Sequence, residues 1–322
     1  MTEVEPRSDV LRDNAEYDAH QVADLAGVDV EQSRRLWRAL GFPTYRSEVA
    51  FTRADVEALR RVSDLIEAGV LDLETALNLG RALGQTMARL ADWEVGTLTD
   101  HVDLAEEDQT PTSRAAAALA VVEEVNPAFE DLLIYVWRRH LAAATERVRA
   151  TLGGTEEDVD TVEVTVGFAD LVAFTALSNR LDKDRIGDLV EVFESRCADV
   201  VAAQGGRVVK SIGDSVLFLH DDPREALAIA SGIIQLVGRD KRLPDVRVGL
   251  ATGPVVTRLG DVFGPPVNLA ARLTAVARRN RVIVDEATAE QLPREEYQIR
   301  RLPARPVRGF GVIEPLTARP LT

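Results

Sequence analysis

Two aspartates in the second half of the sequence stand where strand-like segments stop abruptly. Asp170 lies in Phe168-Ala169-Asp170-Leu171-Val172-Ala173-Phe174-Thr175, just after the alternating run Val162, Val164, Val166. Asp214 lies in Lys210-Ser211-Ile212-Gly213-Asp214, at a tight turn between the runs Arg207 to Lys210 and Ser215 to Leu219. Carboxylates brought to one sheet edge are hard oxygen ligands, suited to Mg²⁺ or Mn²⁺ with phosphate oxygens completing the shell. Either aspartate by itself reads as an ordinary turn residue. The chemistry depends on the elements that would bring the two together.

Around them the pattern predicts a strand, a helix from about Asp182 to Ala203, two strands joined by the Gly213 turn, a helix from about Pro223 to Val237, and a strand from Val246 to Ala251. That order is the ferredoxin-like βαββαβ motif, an α+β sheet covered by helices, in which the first strand and the hairpin are central neighbours. Both aspartates would then share one edge. The first half reads as helix throughout. Asp29 caps a helix that Gly41-Phe42-Pro43 stops, and Thr52 with Asp55 forms a capping-box-like start for a helix ending at Gly69. A longer helix follows from about Asp72, Thr110-Pro111-Thr112 breaks the pattern, and Pro127 is expected to open a separate helix reaching Arg149. Leu152-Gly153-Gly154-Thr155 and the acidic run after it read as a solvated linker. The expected division is a helical domain over residues 1–150, a linker over 151–160 and the α+β domain over 161–322.

The 322 residues suffice for two cores. No run of about 18 apolar residues is present, as a membrane-spanning helix would need, and the acidic N-terminus MTEVEPRSDV lacks the apolar stretch of a signal peptide. Cys197 is the only cysteine, which excludes an intrachain disulfide framework and fits a reducing cytoplasm. Charge is split unevenly. Residues 1–160 carry 32 acidic and 16 basic side chains, residues 161–322 carry 21 and 22, so the halves differ in chemistry.

Taken in order, five segments resemble the motifs of the class III nucleotidyl cyclases, over roughly Val162 to Pro315. The Asp170 segment is similar to the family's first metal motif, and Lys210 to Asp214 to its base-recognition and second metal motif. Asp261-Val262-Phe263-Gly264, Val267-Asn268-Leu269-Ala270-Ala271-Arg272 and Val307-Arg308-Gly309-Phe310 resemble the remaining base, transition-state and phosphate segments. The resemblance implies an adenylate cyclase, a phosphorus–oxygen lyase that turns ATP into cyclic AMP and pyrophosphate. It implies two Mg²⁺ or Mn²⁺ ions per site on Asp170, Asp214 and the Leu171 carbonyl. Arg272 would face the α-phosphoryl group and Asn268 the ribose. Lys210 and Asp261 would read the adenine N1 acceptor and 6-amino donor, a pattern that guanine reverses. Arg308 stands where many members carry lysine, and Arg258 is the one candidate for a further phosphate contact in a short segment. In the family the site forms between two protomers, and one chain here holds both sets, so a homodimer would build two sites.

His20 to Arg46 looks like a helix-turn-helix and Phe51 to Gly69 extends it toward a MerR-like pattern. The rival reading is therefore a DNA-binding regulator with a degenerate cyclase module. An acidic half argues against DNA, which needs a basic surface; Arg34, Arg35 and Arg38 read as solvated or salt-bridged helix residues. A helical regulatory domain is the expectation. The sequence leaves open whether a proton, a lipid or another small molecule controls it. His101 and His140 are candidates for sensing a proton, because an unperturbed imidazole changes charge near neutral pH, though a lone histidine is ordinarily an exposed structural residue.

Overall fold

The computed structural model describes residues 14–43, 49–105, 111–151, 161–258 and 260–321. The chain divides into two compact units, Met1–Thr151 and Leu152–Thr322. The expected Gly-Gly linker, at 152–160, lies outside the described residues.

The first unit is helical: α1 (Ala19–Ala26), α2 (Val30–Ala39), α3 (Arg53–Glu67), α4 (Leu73–Ala105) and α5 (Pro111–Thr151). Local chemistry sets the starts. The Asp18 and Asp29 carboxylates accept from the first free amides of α1 and α2, and Thr52 and Asp55 bond reciprocally at the head of α3, each cap contributing about 1 kcal/mol. Val22, Leu36, Trp37, Phe51, Leu59 and Leu77 bury the apolar faces of these helices in one core. Pro127 does not open a helix. It lies inside the 41-residue α5, whose turns on either side outweigh the lost hydrogen bond and the clash, about 3 kcal/mol, that an interior proline brings. Arg35 pairs with Glu74 at 2.6 Å and Arg38 with Glu31 at 2.8 Å, while Arg34 lies 3.8 Å from Glu31.

The second unit begins with β1 (Thr161–Leu171), α6 (Phe174–Ser178), α7 (Lys183–Ala203), the hairpin β2 (Arg207–Ile212) and β3 (Ser215–His220), α8 (Pro223–Arg239) and β4 (Val246–Arg258). It continues through β5 (Asp261–Phe263), α9 (Pro265–Val276), β6 (Val282–Val284), α10 (Glu286–Glu290), β7 (Tyr297–Arg301), β8 (Arg305–Val307), β9 (Gly311–Ile313) and β10 (Leu316–Pro320). The main sheet runs β2-β3-β1-β4-β6-β10-β7, with β5 paired to the far end of β4. Its first four strands are the ferredoxin-like core, with β1 antiparallel to both β3 and β4. The strand expected to end at Ala251 runs on to Arg258, because Thr252 to Val256 continue the pairing with β1 and Val256 to Arg258 find a partner in β5.

The sheet separates two cores. Ala169, Leu171, Val216 and Phe218 face α7 and α8. Val166, Leu217, Leu219 and Ala251 face α9 with its Ala270 and Leu273. Alternation along each strand assigns neighbouring residues to opposite cores. Helix α9 lies against the strands with no clearance: a Cβ on Gly249 would come within 2.5 Å of the Ala270 carbonyl oxygen and the Thr274 amide. The Thr274 hydroxyl fastens the same helix to β1 by donating to the Phe168 carbonyl at 3.2 Å.

Candidate active site

Asp170 sits in register between Ser215 of β3 and Arg247 of β4, so all three side chains rise on the face that carries α9. The Ser215 hydroxyl donates to one Asp170 carboxylate oxygen at 2.5 Å. The Arg247 Nε donates to the other at 2.7 Å, and its Nη2 lies 2.6 Å from it. One residue on, the buried Leu171 donates its amide to the Asp214 carbonyl at 3.1 Å, which pins the hairpin turn to the end of β1. Gly213 holds the turn with φ 61°, a conformation that glycine adopts without steric cost. Burial pushes the Asp214 carboxyl above its ordinary value, and the nearby charge of Asp170 adds to it. A raised carboxyl beside a second carboxylate is the electrostatic signature of a place suited to a cation. The donor set fits hard divalent ions: two carboxylates and the Leu171 carbonyl, with no cysteine at the edge. Among the described residues no group of three acidic, histidine or cysteine side chains forms a complete cage, so a bound ion would need further oxygen ligands from nucleotide or water.

The second cluster depends on an irregularity. Val208 pairs with Phe218, yet Lys210 pairs with Leu217, so Val209 is an extra residue in β2. Strict alternation from Val208 would turn Lys210 toward the α7 and α8 core. The bulge instead places it opposite Leu217, on the α9 face, where its ammonium donates to the carboxylate of Asp261 on β5. Burial pulls the Asp261 carboxyl upward, but the Lys210 hydrogen bond, the Val262 amide and the lysine charge outweigh it and leave it lowered.

Asn268 and Arg272 stand one turn apart on α9, both exposed. Among the described residues neither side chain has a hydrogen-bond or ion-pair partner. Arg258 is exposed at the end of β4, opposite Asp261, and Arg308 is exposed in the turn between β8 and β9. The structure thus joins Asp170, Leu171 and Asp214 in one cluster and Lys210 with Asp261 in another, and leaves the arginines and Asn268 open to solvent. Sequence reasoning missed Ser215 and Arg247. The available signal was Arg247 itself, the one charge within the apolar run Val246 to Ala251.

Both halves of the chain resemble known proteins. Residues 157–315 match the family described as the adenylate and guanylate cyclase catalytic domain, and residues 6–141 match the adenylate cyclase regulatory domain. An adenylate cyclase of Streptomyces coelicolor is 41% identical over 333 aligned residues, covering 95% of this chain and 86% of that protein. One of Streptomyces griseus is 43% identical over 88% of this chain and 70% of its own length. One of Glutamicibacter nicotianae is 36% identical over 93% and 78%. With both of its halves matched in order and relatives at this identity aligned over most of their length, the chain belongs to the adenylate cyclase family.

Proposed function

We propose that this chain converts ATP to cyclic AMP and pyrophosphate at two equivalent sites, each built between the protomers of a homodimer. The observation that carries the reading is that Asp170, Lys210 and α9 share one face of one sheet while Asn268 and Arg272 have no side-chain partner among the described residues. A second copy would present those two side chains to the carboxylate cluster of the first.

Asp170, Asp214 and the Leu171 carbonyl would hold two divalent ions, Mg²⁺ or Mn²⁺, which when bound would supply Lewis-acid activation of the ribose 3′-hydroxyl and neutralise phosphate charge. Lys210 donates to adenine N1 and Asp261 accepts from the 6-amino group, each exchanging its present partner for the base. Asn268 orients the ribose so that the 3′-oxygen lies in line with the α-phosphorus. Arg272 stabilises the charge that develops on the α-phosphoryl group as the bond to pyrophosphate breaks. Arg258 and Arg308 offer further cationic contacts to the triphosphate. The N-terminal unit has a regulatory role, in a reducing cytoplasm that suits a buried Cys197 whose thiol burial pushes far up. No helix among the described residues is long and apolar enough to cross a membrane. The DNA-binding rival is weakened by α2, where Arg35 and Arg38 are each paired with a glutamate and so are less available to phosphates.

Base reading is tested by the double variant Lys210→Glu/Asp261→Ser. Glutamate accepts from the guanine N1 proton, which lysine cannot do, so the ratio of kcat/KM for ATP over GTP is expected to fall about 100-fold or more. An unchanged ratio would remove these residues from base recognition.

The metal assignment makes a prediction about stability. A carboxyl raised in the fold destabilises it above the unfolded pKa, increasingly as pH rises through the folded value. In chelator at neutral pH, Asp214→Asn should therefore melt above wild type. Mn²⁺ at about 100 times its dissociation constant should raise the wild-type Tm by about 5 °C and raise that of Asp214→Asn much less. Equal Mn²⁺ responses in the two proteins would place the ions elsewhere.

A further inference from the structure

We propose that Arg247 is a positioning residue that ties the Asp170 carboxylate and helix α9 into one body, so that one side chain sets both halves of the machinery a protomer contributes. This rests on the reading that Asp170 and Arg272 serve catalysis.

The guanidinium has two kinds of partner. Its Nε and Nη2 hold one oxygen of Asp170 at 2.7 and 2.6 Å, while Nη1 donates to the Ala275 carbonyl at 3.0 Å. Ala275 lies in the last turn of α9, where carbonyls lack partners within the helix and a positive charge is favoured by the helix dipole. The Asp170 side chain is 15% exposed and that of Arg247 29%, so the pair is less screened than a surface bridge. Ser215 holds the opposite oxygen of Asp170, which fixes the carboxylate from both sides. A lysine could reach one of these partners but lacks the planar fork that serves both at once.

The two halves act at different sites. In the dimer a protomer gives its carboxylates to one site and its α9 to the other. Loosening the Arg247 clamp should thus damage both sites, through the carboxylate in one and through Arg272 in the other. Displacing a reacting group by about 1 Å is enough to cost about 100-fold in rate.

The test uses full-length chains that complement one another. A chain with Asp214→Ala, mixed with a chain with Arg272→Ala, keeps one intact site, to which the first chain gives α9 and the second gives its carboxylates. Adding Arg247→Gln to either chain should cut the rescued kcat about 100-fold, with the KM for ATP changed less than about threefold. Arg247→Lys, which keeps the charge, should restore Mn²⁺ binding by the nucleotide-free protein, read by electron paramagnetic resonance, but not kcat. Replacing Asp214→Ala by Asp170→Ala in the mixture should also rescue less well, because that chain's α9 has lost its tether. Harm from Arg247→Gln in only one of the two chains, or in neither, overturns the proposal alone. So does full recovery of kcat by Arg247→Lys. A parent mixture that stays inactive despite subunit exchange overturns the shared-site reading and the proposal with it.

Discussion

Asp170→Ala and Asp214→Ala proteins are expected to make cyclic AMP about 1,000-fold more slowly than wild type or worse, a loss of about 4 kcal/mol of transition-state stabilisation. Each change removes an anionic oxygen ligand from the same sheet edge, and among the described residues no further acidic, histidine or cysteine side chain completes a metal site there. The two variants should differ in their folding. Asp170→Ala strands Arg247 and Ser215 without their shared acceptor, which costs stability because both are partly buried. Asp214→Ala removes a carboxyl already disfavoured by burial and by its neighbour. Its melting temperature should therefore stay at or above that of wild type while its activity is lost. Steady-state rates with circular-dichroism melts check both halves, and either variant turning over within about tenfold of wild type would contradict the assignment.

The second large effect is a gain. Asp214→Ala and Arg272→Ala homodimers should each be inactive, since every site in them lacks one essential group. Free re-pairing makes half of the dimers mixed, and each mixed dimer has one complete site of two, so about a quarter of wild-type activity should appear on mixing. Asp214 and Arg272 differ in a way that makes the pair suitable. Asp214 is anchored through its backbone to β1, whereas Arg272 projects from α9 into solvent. A mixture that exchanges subunits, shown by mass spectrometry of differently sized chains, and still makes no cyclic AMP would mean that each chain builds its own site.

Local chemistry made much of this chain legible. The Asp29 and Thr52 caps, the turn at Gly213, the end of β1 beside Asp170 and the βαββαβ order all follow from residues close together in sequence, and the structure has each of them, although β2 runs two residues past Lys210 to Ile212. What sequence could not supply was pairing at a distance. Arg247 stands opposite Asp170 only because β4 returns antiparallel beside β1, 77 residues later. Nothing within either segment announces the other. Pro127 misled for the converse reason: a local rule against interior proline was overridden by a helix long enough to absorb it. The extension of β4 to Arg258 was hidden by Gly253-Pro254, which reads locally as a stop although β1 and β5 supply partners on either side of it.

Because Lys210 reaches Asp261 only by virtue of the bulge at Val209, the letters of a motif do not by themselves confer base recognition. A relative could retain every lysine, aspartate, asparagine and arginine named above and still be blind to adenine if its β2 kept a residue at this position but paired regularly through it. A β2 of the same length that paired without the bulge would set Val209 opposite Leu217 and turn the lysine toward the α7 and α8 core. In judging which relatives use ATP, the pairing of β2 with β3 thus carries information that the motif letters alone do not.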